Sequence, residues 1–575
     1  MSGLRGAIST GAALQHPVVD SSPPSQASAF PLPGGGVLFA RARLDNRSDV
    51  VRRLGLSADQ SRSSCDAALV AAAFEAWGPG CGAGLVGAWA YAAQDVAEGR
   101  CVLSRDAFGL APLYYHQSKD RIWFSDRLPD LLRLAGLPRH LNVPALAQLG
   151  LGTKRDTSCF QKGAQKAPPA QALIFARDGT MRRLRYWDPA DAPEVRFARD
   201  ADYEEAFLAL YDEVVAGMLD GPGPIGIALS SGLDSGSIAA LAAPRLARRG
   251  SPLRAYCWVP TPGARFSATP GRNSNEWEDV QQLTAHIGNI DATRVTGYPQ
   301  GLIAAIRHML SITDDVDNAV AGWGWYHGVL SQAAADGTGT ILTGDFGNLT
   351  ISQGRRETHA PMSARLRQEA KARWRALRFG RPRHPRLIIR PDFVRRALAG
   401  VEPADPELNG RWRHARQPLR SLYNILHSGG VAVSGEIAGS MGMTLCTPPI
   451  DRRMVDFCNG VPADQISRGT ETRRLIRRSF EGKIPQALLW KDVRGLPGSD
   501  YAAAIAEEHE EVMEILDAAE RSPVAREALD LPWLRRSASA LSIDPSAIDV
   551  LSAGLLVRGV AYAMFLQTFE DIAPA

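Results

Sequence analysis

The stretch Ile225-Gly226-Ile227-Ala228-Leu229-Ser230-Ser231-Gly232-Leu233-Asp234-Ser235-Gly236-Ser237-Ile238-Ala239-Ala240 restricts this chain more than any other. Its short apolar run predicts a buried strand, the small polar residues a tight turn, and the apolar residues behind them a helix. Ser230, Gly232 and Ser235 let the backbone come close to a bound anion. Hydroxyls and N–H groups at the helix start would donate to it. Asp234 would repel phosphates unless a metal ion lay between, so the turn has the makings of a Mg-pyrophosphate cradle. It is not a Walker A loop, because the Gly-Lys-Ser/Thr signature is absent. An ordinary strand–turn–helix corner uses the same residue types, and those types alone leave the two readings level.

A chain of 575 residues is too long for one ordinary core, so two domains or more are expected. With 45% hydrophobic and 22% charged residues, the composition is that of a globular protein. A net charge of +4 is small for this length and does not call for nucleic acid. The seven Cys are scattered without a Cys-x-x-Cys, which fits reduced thiols better than a disulfide framework or a zinc site. No apolar signal region opens the chain and no stretch is long enough to span a bilayer. A soluble, cytoplasmic protein is expected.

Ser, Pro, Ala and Gly dominate up to about residue 30, which predicts a loose arm or irregular strands. A strand running into a turn and helix follows over 35–47. Then come a helix from Asp66 to Trp77-Gly78, a strand over 85–92, and more strand over 102–115 with glycine turns, the pattern of antiparallel sheets. The Pro- and Asp-rich passage at 188–193 predicts a linker. Beyond it a helix from Tyr203 to about Leu219 leads into the Ile225 stretch. A second strand is expected over 253–259, a helix from about Asn275-Glu276-Trp277-Glu278-Asp279, and a third strand at 339–343 ending in a Gly-rich turn. In an open parallel sheet such turns gather at the carboxyl ends of the strands, where ligands bind.

The 225–240 run is similar to the Ser-Gly-Gly-Leu-Asp-Ser-Ser pyrophosphate loop of the asparagine synthetase family, whose members cleave ATP between its α- and β-phosphates. Ser231 replaces the first Gly and Gly236 the last Ser. The resemblance implies that Leu229, Ser230, Ser231, Gly232, Leu233, Asp234 and Ser235 bind ATP, with Mg2+ on Asp234. It also implies that Trp258 on the second strand lies at the adenine; core packing is the plain alternative for that side chain. Trp77-Gly78, the Gly87-Ala88-Trp89-Ala90 strand, and Arg105-Asp106 through Gly109 to Pro112-Leu113-Tyr114 resemble the family's N-terminal glutaminase-like domain. Glutamine-using members start with a nucleophilic Cys. Here Ser2 stands at that place and the first Cys is Cys65, so glutaminase activity is not expected and the domain reads as a retained scaffold.

Gly344-Asp345-Phe346-Gly347-Asn348-Leu349 matches the family's Gly-Glu-Gly-Ser-Asp-Glu loop, with Gly344 at the nucleotide, Asp345 at the first acid, and Asn348, toward the metal, at the later Asp. Leu349 in place of the final Glu argues against an ordinary asparagine synthetase. The Gly-x-x-Gly-Asn-x-Thr-x-Ser form looks like the lasso-peptide cyclases, the branch that closes a macrolactam on a ribosomal peptide. Thr447-Pro448-Pro449-Ile450-Asp451 resembles another family segment, and Glu436 just before it stands where β-lactam synthetase has an acid that forms a base dyad with a Tyr; the corresponding partner here would be Asp345. A helix-surface Glu is the alternative. Lys491 and Arg494 are both candidates for the family's transition-state cation. The Arg-dense passage at about 354–386 reads as a solvated insertion or as an electrostatic landing strip for a partner.

These readings imply an Ntn-type αββα domain over 1–190 and an α/β ATP-pyrophosphatase synthetase domain over 200–575. ATP and Mg2+ are the expected cofactors. The expected reaction is adenylation of an Asp or Glu side chain of a core peptide, then attack by that peptide's N-terminal amine. A leader peptidase and a leader-recognition protein are the expected partners. Ammonia-fed asparagine synthesis, a β-lactam synthetase-like closure, and an inactive binding protein are the alternatives.

Overall fold

Alternating side chains build the first third of the chain. The computed structural model of the protein describes residues 4–9, 27–119, 121–150, 158–265, 271–317, 319–354, 388–401, 417–428, 430–491, 493–496 and 498–569. Ten strands come first: β1 (Arg5–Ser9), β2 (Ala27–Pro31), β3 (Val37–Leu44), β4 (Gly87–Asp95), β5 (Arg100–Arg105), β6 (Tyr114–Gln117), β7 (Arg121–Ser125), β8 (Gln165–Lys166), β9 (Gln171–Ala176) and β10 (Met181–Arg185). They form two antiparallel sheets, of order β1-β7-β6-β8 and β10-β9-β5-β4-β3-β2. In β3 the period of two sends Phe39 one way and Leu38 and Ala40 the other. Phe39 joins Leu103, Tyr115, Phe124 and Phe175 in a core between the sheets. Leu38 and Ala40 pack with Trp89 and Tyr91 against Leu69, Val70 and Phe74 of the helix Asp66–Trp77. Helix Leu128–Ala135 covers the smaller sheet with Leu128, Leu131 and Leu132 against Tyr114. The layering is helix, sheet, sheet, helix.

Where the composition predicts a loose arm or irregular strands, β1 is a regular strand, because it pairs along its whole length with β7; residues 10–26 lie outside the described residues. In the passage at 188–193, Asp188 is buried, accepting from the Tyr423 hydroxyl at 2.5 Å and from Arg185 at 2.9 Å, so it is tied both to the strand before it and to a helix far along the chain.

The remaining strands are β11 (Ile225–Ala228), β12 (Leu253–Val259), β13 (Arg272–Asn273), β14 (Ile290–Thr296), β15 (Thr340–Thr343), β16 (Thr444–Cys446) and β17 (Arg494–Gly495). Five of them make an all-parallel sheet of order β14-β12-β11-β15-β16. Its inner strands β11, β12 and β15 are mostly buried because both faces are covered, while the edge strand β14 carries Asp291, Thr293 and Arg294. Ile227, Ala255, Cys257 and Leu342 share a core with the helices Asp200–Met218 and Leu233–Arg248. Tyr256, Trp258 and Ile341 share another with Leu302–Thr313, Trp323–Ala335 and the C-terminal helices up to Val550–Leu566. The chain leaves β11 toward β12 and β14 on one side, then returns to β15 on the other. The crevice outside the carboxyl ends of β11 and β15 is therefore where this order reverses and where ligands bind in such sheets. Among the described residues, no helix is long and apolar enough to cross a membrane.

Candidate active site

Two loops meet at that crevice. The first, Leu229–Ser235, ends β11 and starts the helix Leu233–Arg248. Its fold comes from its own hydroxyls: the Ser230 N–H donates to Ser235 Oγ (3.0 Å) and the Gly232 N–H to Ser230 Oγ (3.2 Å). Small side chains and local hydrogen bonds leave the turn open toward the crevice. The second loop follows β15. A Cβ on Gly347 would stand 2.4 Å from Cγ of Asp234, and one on Gly344 would stand 2.6 Å from the backbone nitrogen of Ser235. Only glycine at both positions lets the loops close on each other. Between them Phe346 takes a left-handed φ of +64°.

Asp345 follows, its N–H donating to Thr343 Oγ1 at 3.2 Å. Burial pushes its carboxyl above the usual carboxylate range, against the opposing hydrogen bond from Thr343. Asn348 is exposed. Leu349 turns into an apolar cluster with Phe108, Leu422 and Leu426, which accounts for an apolar residue where an acid was the pattern.

The loops fit an ATP–Mg2+ complex in shape: a hydroxyl-lined turn at a helix start, with Asp234 held at its base by two glycines. Among the described residues, no three His, Cys, Asp or Glu side chains are arranged to hold a metal ion. Mg2+ at Asp234 would draw its other ligands from phosphates and water, which is how this ion is commonly held.

An acidic arm covers the first loop. Glu276 Oε1 accepts from the Ser231 N–H (3.2 Å) and hydroxyl (2.5 Å). Burial raises the Glu276 carboxyl, while the Ser231 hydrogen bonds work the other way. Gly495 lies against it, where a Cβ would come 2.1 Å from Glu276 Oε2. The parallel pairing of Arg272 with Arg494 and Asn273 with Gly495 fastens this arrangement. Lys491 forms an ion pair with Asp279, in the first turn of the helix Trp277–Ile287. Of the two candidate cations, Lys491 is thus beside the Glu276–Ser231 contact; the Arg494 side chain lies outside the described residues, as do 355–387 of the Arg-dense passage.

Glu436 stands elsewhere. Among the described residues no hydrogen bond or ion pair joins it to Asp345. Instead Tyr114, at the start of β6, donates its hydroxyl to Glu436 Oε1 at 3.0 Å. Burial pushes the Glu436 carboxyl up to about 8, although Lys166 and the Tyr114 hydrogen bond pull it down. Behind Tyr114, Lys166 and Asp315 form a buried ion pair. Glu436 also lines a cavity of about 1520 Å³ between the two sheet systems, with Arg41, Asp126, Gly439 and Met443. The expected Asp345 partnership fails because Glu436, on the helix Gly430–Ser440, is satisfied by a phenol from the antiparallel sheets.

Trp258 is buried in the core at the end of β12, its indole N–H without an acceptor among the described residues. The resemblance placed the acidic helix start around Glu276 near the nucleotide without singling out Glu276, and sequence reasoning passed over Lys166, which sits in a two-residue strand with no motif around it.

The profile of the asparagine synthase family matches residues 206–549, and that of a glutamine amidotransferase domain matches residues 35–187. A Bacillus subtilis (strain 168) protein named asparagine synthetase [glutamine-hydrolyzing] 3 is 27% identical over 227 residues, 38% of this chain and 36% of that protein. Asparagine synthetase B [glutamine-hydrolyzing] of Escherichia coli (strain K12) is 22% identical over 438 residues, 75% of this chain and 64% of that protein. The chain thus spans less than two thirds of the length of these relatives.

Proposed function

The chain belongs to the asparagine synthase family, and from that premise we propose that it is an ATP-dependent, AMP-forming amide ligase that closes a macrolactam ring on a ribosomal peptide. The observation that carries the ligase reading is the contact of Gly344 and Gly347 with Asp234 and Ser235 at the switch point of the parallel sheet.

A side-chain carboxylate of the peptide attacks the α-phosphorus of ATP, forming an acyl-adenylate and releasing pyrophosphate. The peptide's N-terminal amine then attacks the acyl carbon, the C–O bond to AMP breaks, and an amide forms with loss of one proton. Mg2+ supplies charge neutralisation for the departing pyrophosphate. This chain's residues do the rest. Ser230, Ser231 and the helix start cradle phosphate oxygens. Lys491 is the cation for the negative charge developing on the acyl oxygen. Glu436 accepts a proton from the ammonium, for which a carboxyl titrating near 8 is well matched. Holding the peptide with its amine at the acyl group lowers the barrier by about 7–11 kcal/mol at best. The peptide reading is supported by Leu349 standing where the family pattern has an acid. A leader peptidase and a leader-recognition protein are the partners this reading proposes.

A second reading, asparagine formation from aspartate and ammonia, is favoured by the names of both relatives. The test measures pyrophosphate release from ATP and Mg2+ with a leader-free core peptide, or with aspartate and ammonia, beside Asp234→Ala. Release with the peptide, coupled to loss of one water from its mass and abolished in Asp234→Ala, is expected. Release only with aspartate and ammonia would replace the first reading by the second. Silence with every substrate, with ATP still binding, would make the protein a nucleotide-binding module without ligase chemistry.

A further inference from the structure

Glu436 is held by residues far from it in the chain and outside the parallel-sheet domain. The turn Arg105–Pro112 sets this up. Asp106 is buried and accepts N–H bonds from Phe108 (3.0 Å), Leu110 (3.0 Å) and Ala111 (2.8 Å), which fixes the turn that feeds β6. Tyr114 is therefore delivered from a rigid corner, buried, with its hydroxyl on Glu436. Lys166 on β8 sits 5.9 Å from the Tyr114 ring centroid and is ion-paired to Asp315.

We propose that Tyr114 is a positioning residue for Glu436, so that the antiparallel domain supplies part of the acceptor-side proton machinery of the ligase. The proposal rests on the ligase reading above for its chemistry, but not for its geometry.

The groups facing Glu436 come from every neighbouring element: Tyr114 on β6, Lys166 on β8, Arg105 at the end of β5, Asp126 just after β7, and Asp315 after the helix Leu302–Thr313. Tyr114 cannot share its proton away, because burial and the nearby Glu436 and Asp315 carboxylates hold it well above the usual tyrosine range. It is thus a fixed donor. A fixed donor stabilises the ionised carboxylate, and Asp126 and Asp315 oppose this while Lys166 assists. It also locks the carboxylate rotamer, so the second oxygen has one direction left in which to meet an amine. Pre-set geometry of this kind is what general-base catalysis needs.

The test follows the protonated carboxyl of Glu436 by infrared difference spectroscopy across pH in the full-length protein, assigned with Glu436→Gln. The same titration is run on Tyr114→Phe, which keeps the ring and its packing. Loss of the donor is expected to move the Glu436 midpoint up by about one pH unit, a tenfold change in ionised fraction below it. The acidic limb of ring closure should move with it. A midpoint and limb unmoved in a folded Tyr114→Phe protein, checked by circular dichroism, would overturn the proposal. A midpoint that moves in a protein with no turnover would support the positioning and overturn the ligase reading.

Discussion

Gly347 stands over Asp234 so closely that a Cβ there would lie 2.4 Å from the aspartate Cγ. These residues belong to loops more than a hundred positions apart, and their contact gives the crevice at β11 and β15 its floor. The carboxylate is aimed by exclusion: nothing but hydrogen fits above it.

Gly347→Ala tests this directly. Gly347 has no left-handed φ, so the methyl group's volume is the whole perturbation. It should cost about 1–3 kcal/mol of stability through overpacking. Pyrophosphate release should fall by at least about tenfold as Asp234 is displaced. Calorimetry and a pyrophosphate assay on the same preparation measure both.

Glu436→Gln separates chemistry from stability. A carboxyl titrating at about 8 must lose its proton to act as a base, so ring closure should rise through that pH and drop about tenfold per unit below it. Gln abolishes the limb and should slow closure by about 10²–10⁴. The stability effect runs the other way. A carboxyl raised in the folded state gives stability that is present below its ordinary range and lost as pH climbs to about 8. Gln lacks that loss, so its unfolding midpoint at pH 8–9 should exceed the parent's.

Lys491→Met should leave stability almost unchanged, because the ion pair with Asp279 is partly exposed and such pairs contribute at most about 1 kcal/mol. Rate is another matter. If Lys491 faces the developing charge, its loss should cost about 10²–10³ in the single-turnover rate of acyl transfer. Rapid-quench measurement of product resolves this from nucleotide binding.

Lys166→Met should be costly for the opposite reason. The pair with Asp315 is buried, and removing one partner strands the other, at about 3–5 kcal/mol. Burial pushes the Lys166 ammonium down, but Asp315, Cys159 and Glu436 together raise it, and the net displacement is upward. Adding Asp315→Leu should restore most of the loss. Urea unfolding followed by tryptophan fluorescence compares the three proteins.

Much of this was legible in the residues because it is local. The strand at 253–259 and the helix Asp66–Trp77 lie where apolar patterning put them, and Gly78, with a φ of +67°, ends that helix as its position suggested. The Ser- and Gly-rich turns announced themselves by composition. What escaped was what crosses domains. Tyr114 belongs to a motif, yet nothing in its neighbourhood says that its hydroxyl meets a residue 322 positions away. Lys166 is a lone charge in a strand of two residues, and only the docked sheets reveal its buried partner. The partner expected for Glu436 came from a pattern in which both groups lie in one domain, and such a pattern cannot register a neighbour supplied by another.

The order of the parallel sheet has a consequence for how the protein is born. Its central strand, β11, is the first made, and β12 and β14 then extend one side before β15 and β16 build the other. On a ribosome the chain emerges in that sequence, so one flank of β11 stays bare while about a hundred further residues are translated. An unpaired apolar strand edge is an aggregation hazard, and parallel pairing across such distances is slow. The nascent half-sheet therefore carries that hazard until Thr340–Thr343 arrives. Because the crevice lies between β11 and β15, it is complete only once both strands are in place.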